Sequence, residues 1–234
     1  MNATYQKFHE RLKEERLQMK LSQLEISRCL RMSQSHYSKA ELGKRRLSYY
    51  EIQCLCETQA NVYYIFTGEK CKMEMQDFLL KYTFEDLECC LKILCVLLIY
   101  LHNNYMIKLS GNIQKKIENI QYALMSCKKG KTIFYKLRRS LNYNQMKMAD
   151  LLEVDVKKLR SMESGKVLPD SEIIWQLSEV FYIPYALLLK DKKGLACEIS
   201  YLLQLIDESK RKDILDSIKS IHKTFYKSSI GENQ

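Results

Sequence analysis

The chain has 234 residues, enough for one or two domains that each bury a core. Its 7 glycines and 2 prolines are too few for the turns of a β-sandwich or barrel, so an all-α fold is expected. With 38 Lys and Arg against 28 Asp and Glu the net charge is +10, which favours a polyanionic partner, nucleic acid or an anionic surface.

In chain order, apolar residues recurring at three and four place helices near residues 5–19, 23–30, 34–42, 48–58 and 62–66. The opening stretch, MNATYQKFHERLKEERLQ, is charged and periodic and does not read as a signal peptide, so a cytoplasmic location is expected. Ser22, Ser33 and Ser48 stand where helix N-caps belong, and Gly43 stands where the third helix needs a left-handed residue to end. FEDLECCLKILCVLLIYL (84–101) suits a buried helix. Its longest apolar run, Ile93 to Leu101, has 9 residues, well below the ~18 of a membrane span, and no membrane partner is expected. A second series of helices is expected near 133–141, 145–152, 156–163, 171–181 and 184–190, capped by Asn144, Asp155 and Asp170, with Gly165 ending the third. IDESKRKDILDSIKSIHKTF (206–225) reads as an amphipathic trailing helix.

The two series are copies of one another. A shift of 122 residues pairs Gln23 with Gln145, Leu30 with Leu152, Glu41 with Glu163, Gly43 with Gly165, and Lys44 with Lys166. It also pairs Ile52, Leu55, Glu57 and Tyr63 with Ile174, Leu177, Glu179 and Tyr185, and Arg16 with Arg138 just upstream. Apolar residues meet apolar ones between these identities, as with Ile26 and Met148 or Tyr37 and Leu159, and internal duplication accounts for both.

The segment LSQLEISRCLRMSQSHYSKAELGKRR (21–46) resembles the helix-turn-helix of the Cro and lambda-repressor-like (XRE) family, and YNQMKMADLLEVDVKKLRSMESGKVLP (143–169) resembles it again. The shared signals are a Gln opening a helix, a small residue four later (Ser27, Ala149), apolar packing positions and an E-x-G-K ending. Two steeply crossing helices need that small residue at the crossing. The resemblance implies two five-helix DNA-binding units at 1–70 and 131–194, a helical linker at 71–130 and a helical tail at 195–234. It also implies that Arg16 with Glu41, and Arg138 with Glu163, tie the first helix of each unit to the end of the third. The turn glycine of the family is Arg31 in one copy and Glu153 in the other, a departure that weighs on the second copy, because Glu153 repels phosphate.

In such a unit the second helix braces on phosphate while the third enters the major groove. Base reading is expected from Gln34, Ser35, Ser38 and Lys39 with His36 at the edge, and in the second copy from Val156, Lys157, Arg160 and Ser161 with Lys158 at the edge. Gln suits adenine, Lys and Arg suit guanine, and Val suits a thymine methyl, so the two copies should not read the same half-site. Phosphate contacts are expected from Gln23, Gln145, Lys44, Arg45, Arg46 and Lys166, and from Lys131 in a basic run with Lys128 and Lys129. Residues 1–70 and 131–194 each carry 12 basic against 8 acidic residues, while the tail from 195 is neutral. One chain could span two grooves, and a homodimer through 84–101 or 206–225 is expected because apolar faces of that size seek cover.

Nothing points to an enzyme. Histidines 9, 36, 102 and 222 are scattered without metal-ligand spacing. GKT at 130–132 lacks the glycine of a phosphate loop five residues earlier, where Met125 stands, so no cofactor is expected. The nine cysteines show no zinc spacing and are expected to be reduced, with a redox cluster at Cys89, Cys90 and Cys95 as the alternative. The competing functional class is a protein-interaction module, antitoxin-like or peptide-responsive, in which one or both units no longer touch DNA.

Overall fold

All six N-cap residues expected from the sequence cap a helix. The side-chain oxygens of Ser22, Ser33, Ser48, Asn144, Asp155 and Asp170 each accept from the backbone N–H three residues on. Each such bond contributes about 1 kcal/mol to helix stability. At Ser22 and Ser48 the reciprocal bond is present too, the cap N–H donating to the Glu25 or Glu51 carboxylate.

The computed structural model describes residues 3–70, 78–125 and 132–230, and the regular structure among them is helical throughout. The first series comprises α1 (Ala3–Gln18), α2 (Gln23–Cys29), α3 (Gln34–Glu41), α4 (Tyr49–Cys56) and α5 (Val62–Thr67). Helices α6 (Phe84–Asn103) and α7 (Gly111–Met125) follow. The second series comprises α8 (Ile133–Ser140), α9 (Gln145–Leu151), α10 (Val156–Glu163), α11 (Ser171–Phe181) and α12 (Tyr185–Leu189). Helices α13 (Lys192–Leu203) and α14 (Glu208–Ile230) close the chain.

The duplication extends to the backbone. Left-handed residues recur 122 apart: Lys20 and Asn142, Arg31 and Glu153, Gly43 and Gly165, Gly68 and Lys190. After α2 the N–H groups of Arg31 and Met32 bond back to Arg28 and Ser27, and after α9 those of Glu153 and Val154 bond back to Asp150 and Ala149. This is the paired bonding that ends a helix through a left-handed residue. A non-glycine residue held there costs about 1–2 kcal/mol, so the sharp turn is imposed by packing around it. Ser27 and Ala149 are buried beneath the crossing, as their size requires.

Two cores result. The smaller holds Phe134, Leu137, Met148, Leu159, Met162 and Leu177 inside the second unit. The larger runs from Tyr5, Phe8 and Leu12 through Ile52 and Phe66 into α6, α12 and α13. Helix α6 buries Leu87, Leu91, Leu94, Cys95 and Leu98 against α7, α13 and α14. The apolar helix 84–101 that suggested homodimerisation is thus covered within the chain along this side, while Val96 and Tyr100 stay exposed, and the α14 face is covered at Leu215 and Ile218. The expected boundary at 194 falls inside α13, whose Leu195, Ala196, Ile199, Leu202 and Leu203 are buried. The linker and tail helices therefore belong to the same core as the first unit. No helix among the described residues is long and apolar enough to cross a membrane.

The two units also pack on each other. The Ser171 N–H donates to the Leu47 carbonyl at 2.9 Å, and the Leu47 N–H donates to the Ser171 hydroxyl oxygen at 3.0 Å. The Tyr5 hydroxyl lies 2.6 Å from the same oxygen. The Tyr49 hydroxyl donates to the Leu188 carbonyl at 2.9 Å, and the rings of Phe66 and Tyr185 stack at 4.5 Å.

Candidate nucleic-acid interface

Under each α2–α3 and α9–α10 pair lies the same buried brace. Arg16 Nε donates to Glu41 Oε1 at 2.6 Å and its Nη2 to Oε2 at 3.3 Å, while Nη1 donates to the Leu21 carbonyl at 2.8 Å. Gln23 Nε2 donates to Glu41 Oε2 at 2.8 Å. In the second unit Arg138 holds Glu163 through Nε and Nη2 and the Tyr143 carbonyl through Nη1, and Gln145 Nε2 donates to Glu163 Oε2 at 2.9 Å. One carboxylate thus joins three helices in each copy, fixing the start of the second helix against the end of the third.

Burial alone would raise the Glu41 carboxyl, but the hydrogen bonds from Arg16 and Gln23 outweigh it and hold it below the ordinary carboxylate range. Donating to Glu41 raises the Arg16 guanidinium in turn. Burial, with Glu41 alongside, pushes the Tyr37 phenol well up, so this buried ring stays neutral. Both partners of the pair therefore remain charged at neutral pH. Breaking such a pair by removing one member costs about 3–5 kcal/mol, because the other is left buried with its charge uncompensated.

Above the brace, Gln34, Ser35, His36 and Lys39 are exposed at the start of α3 and Ser38 is half-buried. In α10, Lys157 and Arg160 are exposed, while Val156 is half-buried against the second core and Ser161 turns its hydroxyl back to the Lys157 carbonyl. Lys158 Nζ lies 3.3 Å from Asp170 Oδ2. The α10 face thus reduces to Lys157 and Arg160, and Val156, Lys158 and Ser161 are drawn away from the roles expected of them.

Arg160 has a support that the sequence did not disclose. Its Nε donates to Gln145 Oε1 at 2.8 Å, which extends the brace to the surface as Arg138, Glu163, Gln145 and Arg160 in order. Ser38 occupies the matching position of the first unit, where no such extension is built. The terminal nitrogens of Arg160 keep donors for a base edge or a phosphate. Gln23 and Gln145 each use one amide hydrogen on the carboxylate and retain the other.

The basic residues after α3 divide. Lys44 is exposed, whereas Arg45 is bound to Glu51 through two bonds of 2.7 and 2.9 Å. Arg46 lies 3.7 Å from Asp170 and in closer contact with Glu172, both of the second unit. Arg45 and Arg46 are thus held by carboxylates where phosphate contacts were expected. Lys39, Lys44, Lys157 and Lys166 are exposed, and among the described residues no carboxylate pairs with them. Lys131, with Lys128 and Lys129, lies outside the described residues.

Among the described residues no group of three or more His, Cys, Asp or Glu is placed to hold a metal, and no disulfide joins the described cysteines. Burial raises the thiols of Cys89 and Cys95, which works against the thiolate form that a redox cluster on α6 needs. No protein-family model matches the chain, and neither a curated protein nor a solved structure shows significant similarity to it.

Proposed function

We propose that the chain is a sequence-specific regulator of transcription that binds double-stranded DNA through two tandem helix-turn-helix units of the Cro and lambda-repressor-like kind. Helices α3 and α10 enter the major groove, which is wide enough for one helix. Gln34, Ser35 and Lys39 meet base edges in one half-site, and Lys157 and Arg160 in the other. Gln23, Gln145, Lys44 and Lys166 hold phosphates and set the register.

The observation that carries this reading is the brace built twice at one spacing. It fixes the angle between two short helices beneath a face that is polar, exposed and basic in both copies. A protein-binding surface is depleted of charge at its centre, whereas Lys39 and Lys44 on one face and Lys157, Arg160 and Lys166 on the other are exposed. Selection from a random-sequence duplex library by the full chain, at near-physiological salt, tests the proposal. Enrichment of a defined motif is expected; the absence of any enriched motif turns the reading to protein binding.

A further inference from the structure

The contacts between the units reveal how the two copies are oriented. Shifting the second unit back by 122 residues turns each contact into a pair of repeat positions. Leu47 on Ser171 becomes position 47 on position 49; Tyr49 on Leu188 becomes 49 on 66; Phe66 on Tyr185 becomes 66 on 63. Both units therefore use the same patch, the chain after the third helix together with the fourth and fifth helices, to which the first unit adds Tyr5 of α1 against Ser171 and Trp175. Copies stacked head to tail would join two different patches, whereas a shared patch is the mark of a twofold relation.

Two cavities beside the interface obey the same rule. One, of about 200 Å³, is lined from the first unit by Cys56, Ala60, Asn61, Val62 and Tyr63, and by Tyr185 from the second. The other, of about 210 Å³, is lined from the second unit by Ser178, Tyr182, Ile183, Pro184 and Tyr185, and by Tyr63 from the first. These six residues of each lining match position for position under the 122-residue shift, whereas others, Gly194 and Cys197 in the first cavity and Phe66, Thr67 and Glu179 in the second, do not, and the matching pair Tyr63 and Tyr185 borders both cavities. These correspondences imply an approximate twofold axis passing between the two tyrosines.

This axis carries α3 onto α10. Arg46, five residues beyond α3, and Lys158, in the first turn of α10, reach the same Asp170 oxygen at 3.7 and 3.3 Å. Both third helices thus open on the same rim of the interface. Two helices related by a twofold axis can meet one face of a duplex in successive major grooves, whose half-sites lie about 34 Å apart. The two hydrogen bonds between Leu47 and Ser171 and the shared core hold this geometry before DNA arrives.

Resting on the reading above, we infer that one chain is a pseudo-twofold dimer in itself. It binds one duplex carrying two half-sites that are inverted in orientation and unequal in sequence, in a one-to-one complex without a second copy. Inversion follows from the axis, and inequality follows from Gln34 and Lys39 standing where the second unit has Val156 and Ser161.

The test uses the full chain and the motifs it enriches from a random-sequence duplex library. Duplexes are made with the two half-sites inverted, arranged as a direct repeat, or with one half-site scrambled. The mass of each complex is measured by light scattering. One chain per duplex is expected, with the inverted arrangement preferred about a hundredfold over the others, because the second unit then binds at high effective concentration. Preference for the direct repeat, equal binding of all three duplexes, or two chains per duplex overturns the inference and leaves the DNA-binding reading in place. Failure to enrich any motif overturns both.

Discussion

Arg160 is held to Gln145 by a 2.8 Å bond from its Nε, and through Gln145 it stands on the buried Glu163 and Arg138. The guanidinium is thereby oriented before any ligand arrives, so less rotamer freedom remains to be lost on binding. Replacing Arg160 by Lys keeps the charge but loses the planar fork. R160K is expected to lower affinity for the selected duplex by about 1–3 kcal/mol, the usual discrimination of one bidentate base contact. Fluorescence anisotropy measures this, and unchanged affinity in both R160K and R160A would remove Arg160 from the base-reading set.

Lys44 and Arg46 are neighbours in sequence with different fates. Lys44→Ala is expected to weaken binding alike on all sequences and to reduce the salt slope by about one, the signature of a lost phosphate contact. Arg46→Ala should leave that slope unchanged, because its guanidinium sits on Asp170 and Glu172. Titrations at several salt concentrations distinguish the two, and an equal drop in slope for both would place Arg46 on phosphate after all.

The brace makes a stability claim for each copy. Glu41→Gln leaves Arg16 buried without a counter-charge, and Glu163→Gln does the same to Arg138. Each is expected to cost about 3–5 kcal/mol, read as a shift of the urea midpoint at constant slope. Losses below about 1 kcal/mol, the range of exposed ion pairs, would show that the brace is not what fixes the helix angle.

The same carboxylate sets a pH dependence. Glu41 has its folded-state affinity for protons depressed below the ordinary value of 4.5, so the unfolded chain binds more protons in that range. The stabilisation is therefore fully present above about pH 4.5 and is lost as the pH falls through the folded value. Urea midpoints of the unaltered chain should decline over that interval more steeply than those of E41Q, which lacks the group. Parallel curves would contradict the assignment.

Much of the architecture is legible locally. The six caps, the left-handed turns at Arg31 and Glu153, and the recurrence of Arg16, Gln23 and Glu41 at Arg138, Gln145 and Glu163 all rest on short-range patterns or on the repeat itself. What escapes are features created only in the folded chain, some of them where the copies meet. Asp170 and Glu172 lie 124 and 126 residues from Arg46, and no spacing rule connects them. Arg45 finds Glu51 only because the chain folds back over the cap of α4. Helix α13 is buried on nearly every side, so it lacks the amphipathic period that marks a surface helix and runs unnoticed through the expected boundary at 194. A repeat in sequence reports duplication, but the symmetry relating the copies is written only in their contacts.

The most direct measurement is selection from a random-sequence duplex library run in parallel with the unaltered chain, with the double variant Gln34→Ala and Lys39→Ala, and with the double variant Lys157→Ala and Arg160→Ala. If α3 and α10 read bases, each variant relaxes preference in one half-site and leaves the other unchanged. Equal loss across the whole motif from both variants, or a motif indifferent to both, would contradict base reading by these helices.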